Sequence, residues 1–156
     1  MFYTRLMLIA LLVMLTGGCQ RNSTVTGKVL FEDGSPLTKG MVIFTGDAGV
    51  ARGPIDADGS YRLGFEKNAN GVPKGNYKVY IFDAAYKIEG ASKMAPMVPL
   101  IEEKFMKPET SGLICNVDKG SMVYDITVTK LPPEIEKARI NAAKSAPAVV
   151  TRPPIR

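Results

Sequence analysis

The sequence predicts an all-β domain of two packed antiparallel sheets, on three observations. From Val25 to Thr129, apolar and polar residues alternate in short runs rich in β-branched and aromatic side chains. Glycine, proline, aspartate and asparagine separate these runs at spacings near 8 to 15 residues. No helical stripe of comparable strength crosses the region.

Seven strands follow in order: Val25 to Phe31, Met41 to Thr45, Ala51 to Ile55, Ser60 to Phe65, Gly75 to Phe82, Leu113 to Val117 and Val123 to Thr129. Side chains of a strand alternate between its faces, so each run shows one inward set. These sets are Val25, Val29 and Phe31; Tyr61, Leu63 and Phe65; Tyr77, Val79 and Ile81; and Tyr124, Ile126 and Val128. The turns agree. Asp33-Gly34-Ser35-Pro36 and Asp56-Ala57-Asp58-Gly59-Ser60 put glycine after aspartate, where a tight connection needs positive φ. Alternate Asp56 and Asp58 before a glycine also suggest the opening of a calcium loop. An EF-hand would need a glutamate at its twelfth position, and that position is Lys67. A plain turn is the simpler reading.

Ahead of the strands, residues 1–18 have the layout of a cleaved signal peptide: Arg5, an apolar run from Leu6 to Leu15, then small residues. Ten apolar residues are too few to span a hydrocarbon core that needs ~20, which weighs against a membrane-spanning anchor. Leu15-Thr16-Gly17-Gly18-Cys19 resembles a lipobox, with Thr16 where leucine is commoner. This implies lipidation of Cys19 and attachment to a bacterial membrane facing the periplasm or exterior. Plain secretory cleavage is the alternative. Gln20, in place of aspartate, resembles lipoproteins passed to the outer membrane. Residues 19–24 then form a lipidated tether of at most ~17 Å for its five residues after Cys19. Cys115 would be the other cysteine of the mature chain, so no internal disulfide can form. Flanked by apolar neighbours, it reads as a small buried hydrophobe.

Val25-Thr-Gly-Lys-Val-Leu-Phe31, Asp33-Gly-Ser-Pro-Leu37, Gly53-Pro-Ile-Asp-Ala-Asp-Gly-Ser-Tyr61 and Gly71-Val-Pro-Lys-Gly-Asn-Tyr-Lys-Val79 together resemble the carboxypeptidase regulatory-like domain. The resemblance implies a seven-stranded antiparallel transthyretin-like (prealbumin-like, Ig-like) β-sandwich over 25–129. Pro108-Glu-Thr-Ser-Gly-Leu113 is similar to a segment of small lipoproteins of this type. Those relatives often read proline-alanine-lysine-tyrosine before it, where this chain has Glu102-Glu-Lys-Phe105.

Chemistry is constrained by the absence of histidine, the usual general base near neutral pH and the commonest metal ligand. Transthyretin-like ureide hydrolases and zinc carboxypeptidases both depend on histidine, so neither activity carries over. No cofactor or metal is expected. Carboxylate-only hydrolysis would have to use Asp56 with Asp58, or Glu102 with Glu103. Ser111 or Lys104 as a lone nucleophile has no partner motif.

Residues 83–107 break the strand rhythm, and a long insertion in a compact sandwich is uncommon unless it has a function. Tyr86, Met94, Met97 and Met106 form the expected partner surface, because thioethers adapt to varied apolar shapes. A flap packed over the sandwich end is the competing reading. Charge is also uneven. Of the net +5, Arg5 leaves with the signal, and residues 19–129 hold 13 basic and 13 acidic residues. Residues 130–156 hold 6 basic and 2 acidic, with a helix-capable run from Glu134 to Lys144 before a proline-containing end expected to be disordered. That tail is either a solvated extension or a contact for anionic headgroups or envelope polymer. Nucleic acid is discounted, since the sheet shows no basic stripe with aromatic platforms. The expected function is a membrane-anchored, non-catalytic module binding an envelope protein, a glycan or another copy of itself. A passive spacer is the alternative.

Overall fold

A computed structural model describes residues 22–65, 71–118 and 120–146. Its strands are β1 (Thr24–Phe31), β2 (Met41–Gly46), β3 (Gly49–Pro54), β4 (Ser60–Arg62), β5 (Gly64–Phe65), β6 (Gly75–Phe82), β7 (Ala85–Tyr86), β8 (Val98–Pro99), β9 (Leu113–Val117), β10 (Ser121–Val123) and β11 (Ile126–Val128). A 3₁₀ turn spans Glu103–Met106, and helix α1 spans Pro133–Ser145. One sheet has β1 at its centre, paired with β4, β10 and β11. The other runs β5-β3-β2-β6-β9, and β7 pairs β8 in a small third sheet. The architecture is therefore all-β and sandwich-like, with one α-helix among the described residues.

Burial follows the predicted alternation. Val25, Val29, Tyr61, Leu63, Tyr77, Val79, Ile81, Ile126 and Val128 are all buried, whereas Phe31 and Tyr124 pack half-buried against them. The side chain of Phe65 lies outside the described residues. Phe44 of β2 sits at the centre, its ring 6.0 Å from that of Tyr77 and 5.7 Å, edge-on, from that of Tyr124. Offset and edge-on pairs suit the aromatic quadrupole and contribute beyond their buried area.

Three features depart from seven antiparallel strands. The run Ser60 to Phe65 is two strands: β4 pairs β1, whereas β5 pairs β3 in the other sheet. The chain changes sheets at Leu63, whose N–H still donates to Val25 O at 2.9 Å. Alternation continues through such a corner, so periodicity alone does not reveal it. The last run also divides, at Tyr124–Asp125, into β10 and β11. Both halves pair with β1 in parallel. The parallel arrangement follows from the path: β6 runs away from the Ser23 end, β9 returns antiparallel to it, and β10 sets out again alongside β1. Finally, β7 and β8 lie inside the insertion.

The body also extends beyond Thr129. Leu131 is buried, and its N–H donates to Leu100 O at 3.2 Å. Helix α1 packs against β8 and buries Ala143. At the other end the body already includes Ser23. Ser23 and Val72 exchange N–H···O bonds of 2.7 Å each way, and Thr24 N–H donates to Gly120 O at 3.0 Å.

Candidate functional site

The insertion packs firmly over the end of the sandwich reached by β1 and β6. Ala84, Ala85, Ala95, Val98, Ile101 and Phe105 are buried, so the segment forms a wall of the body. Between this wall and the end of β6 lies a groove of about 410 Å³. Phe82, Met97, Met106 and Pro99 supply apolar surface, and Asp83, Glu103 and Lys107 add charge. A second cleft of about 650 Å³ adjoins it through Pro99 and is lined by Phe31, Glu32, Lys130 and the Leu131–Pro133 approach to α1.

Strand alternation explains Phe82. Tyr77, Val79 and Ile81 point inward, so Phe82 points outward, and it is 57% exposed. Asp83 turns the chain at φ +56°, the one non-glycine residue with positive φ among the described residues. Aspartate tolerates this region better than most residues, but the conformation still costs energy, and such positions cluster at functional sites. Glu103 is held by an ion pair with Arg139 of α1, which fixes one wall of the groove to the helix.

The structure brings together two of the four residues expected to form the partner surface. Met97 and Met106 line the groove. Tyr86 is instead turned toward α1, where its hydroxyl donates to Glu136 Oε1 at 2.8 Å. Partial burial, reinforced by that carboxylate, raises the Tyr86 pKa. Met94 is 73% exposed but does not line the groove. Residues close in sequence point in different directions here because the insertion folds back on itself. Asp83 and Lys107 are the two ends of the 83–107 segment expected to hold the partner surface, whereas Phe82 lies just outside it, although alternation already marked it as an exposed phenylalanine. Cys19 lies outside the described residues.

Of the carboxylates considered for catalysis or calcium, Asp58, Glu102 and Glu103 take part in local structure. Asp58 Oδ1 accepts from Ser60 N–H at 3.0 Å and from Ser60 Oγ–H at 2.6 Å, holding its carboxyl below the usual carboxylate range. Asp33 repeats the motif on Ser35 at 3.0 and 2.5 Å and adds Lys130 at 2.5 Å. Lys130 first, then Ser35, depresses the Asp33 pKa. The glycines between, Gly34 and Gly59, have φ of +79° and +80°. Glu102 pairs with Lys104 at 2.6 Å. Ser111 is buried, with its hydroxyl donating to Val79 O at 2.6 Å and accepting from Leu113 N–H at 3.3 Å, a joint between β6 and β9. Cys115 is buried 3.9 Å from the Met122 sulfur, and burial pushes its thiol pKa up. Among the described residues, no three His, Cys, Asp or Glu side chains converge to hold a metal, and no helix is long and apolar enough to cross a membrane.

No family model matches the chain, and no curated protein matches it. Among solved structures it is similar to a DUF3823 family protein from Bacteroides ovatus, with 22% identity and a TM-score of 0.41. That match covers 70% of this chain and 45% of the other. A catechol 1,2-dioxygenase from Acinetobacter sp. ADP1, inhibited by bound mercury, gives 12% identity and a TM-score of 0.36, over 89% of this chain and 59% of that one. The chain thus spans less than two thirds of either neighbour. At these TM-scores, no residue role is carried over.

Proposed function

We propose that this chain is a bacterial envelope lipoprotein anchored through Cys19, the outer membrane being the favoured address, whose non-catalytic β-sandwich binds an envelope protein or glycan. Within this reading the body is of the transthyretin-like, carboxypeptidase regulatory-like type. The observation that carries the binding role is the groove formed by Phe82, Met97 and Met106. A solvent-facing phenylalanine that shares the groove lining with two methionines gives a concave, adaptable apolar surface of the kind that marks contact sites. Its charged residues Asp83, Glu103 and Lys107 supply orientation. The non-catalytic reading is supported by the structural engagement of Asp58, Glu102 and Ser111.

The test is a photo-crosslinking amino acid placed at Met97, and separately at Met94, in cells making the lipoprotein. A discrete adduct at Met97 and none at Met94 supports the groove. No adduct at either position favours the passive spacer. Intact mass and detergent partitioning of wild type against Cys19→Ala test the anchor. A lipid-sized mass increase that depends on Cys19 is expected, and an unmodified soluble protein would overturn it.

A further inference from the structure

We propose that the sandwich is polarised relative to the bilayer: the end holding Ser23, Val72 and Asp118 rests at the membrane surface, and the Phe82–Met97–Met106 groove faces away from it. This rests on the lipidation of Cys19 proposed above.

The chain is locked into the body from Ser23 onward. Ser23 is 1% exposed, doubly bonded to Val72, and its hydroxyl donates to Asp118 O. Only Gln20, Arg21 and Asn22 then separate it from a lipidated Cys19, at most roughly 10 Å of chain. The near end of the sandwich therefore cannot leave the headgroup region. From that end β1 runs eight residues to Phe31, roughly 23 Å at the rise of a strand. Strand β6 runs the same way, because Gly75 lies just after Val72 and Pro73 and partners Val117, while Phe82 is its last residue. Pro99 lines both the groove beside Phe82 and the cleft beside Phe31, so the far ends of the two strands lie at the same end of the body. The groove is thus separated from the anchor by the full length of the sandwich.

A partner consequently reaches the groove from the aqueous side, and the lipids of the protein's own bilayer face the opposite end.

Site-specific quenching tests this. Buried Cys115 resists labelling, so Lys74→Cys and Lys107→Cys in the lipidated protein each take one fluorophore. Each is placed in phosphatidylcholine–phosphatidylglycerol vesicles with and without a headgroup nitroxide. Quenching at position 74 is expected to exceed that at position 107 several-fold. Equal or stronger quenching at 107, with the lipid mass intact, overturns the polarity and leaves the lipoprotein reading standing. Protein that carries no lipid and does not bind vesicles overturns both.

Discussion

The Tyr61 hydroxyl donates to the Tyr124 carbonyl at 2.5 Å, joining β4 to the junction of β10 and β11 across the Gly27 position of β1. That carbonyl would otherwise be the ladder acceptor for Lys28 N–H, which instead donates to Asp125 Oδ1 at 2.8 Å. The Tyr124 carbonyl and the Lys28 N–H, which leave the ladder at this break, thereby both keep a partner.

Tyr61→Phe removes this bond while keeping the ring. Loss of a buried partner costs about 1–2 kcal/mol. Urea unfolding should show a lower midpoint with an unchanged slope.

The same residue sets an alkaline limit. Burial, foremost, raises the Tyr61 pKa above its ordinary value of 10.0. A group whose folded pKa is raised contributes stability that is complete below the unfolded value and lost as pH rises past it. Unfolding free energy should begin to fall past pH 9.0, where the raised Cys115 thiol contributes, and above pH 10.0 Tyr61 adds at most about 1.4 kcal/mol per pH unit. In Tyr61→Phe the decline should be shallower, as read by denaturation at stepped pH.

Gly27→Ala should be more damaging than an ordinary strand substitution. A Cβ there would lie 2.0 Å from Tyr124 O, a backbone atom with nowhere to retreat. Overpacking of this kind costs about 1–3 kcal/mol or more. Thermal unfolding against wild type checks it, and an unchanged midpoint would contradict the close approach.

Ser111→Ala leaves Val79 O and Leu113 N–H without their side-chain partner. A loss of about 1–2 kcal/mol is expected, with faster amide exchange at Leu113. Exchange that quickens uniformly across the domain instead would argue against a local joint.

Tyr86→Phe combined with Arg139→Ala releases α1 from β7 and the groove wall. Amide exchange of α1 should accelerate while that of β2 and β6 is unaffected, because the helix contributes little to the central core. Protection of α1 equal to wild type would show that apolar packing of Ala143 is sufficient.

Strand faces were legible in the sequence because they depend on a period of two along the chain. Val25, Tyr61, Tyr77 and Ile126 could therefore be assigned to the core one strand at a time. The Asp-Gly-Ser turns were legible for a similar reason, since aspartate, glycine and serine interact within three residues. Strand partners required the fold. β1 meets β10 and β11 at a separation of 97 residues, from Thr24 to Ser121 and from Val29 to Ile126, and no local pattern encodes whether such a pair is parallel. The groove likewise depends on folding. Met97 and Met106 were recognisable as adaptable surface, but their alignment with Phe82, the diversion of Tyr86 to Glu136 and the clamp of Arg139 on Glu103 arise only when the insertion closes over the sandwich end. Backbone periodicity sets which way a side chain faces along its own strand; the packing of distant segments decides what it meets.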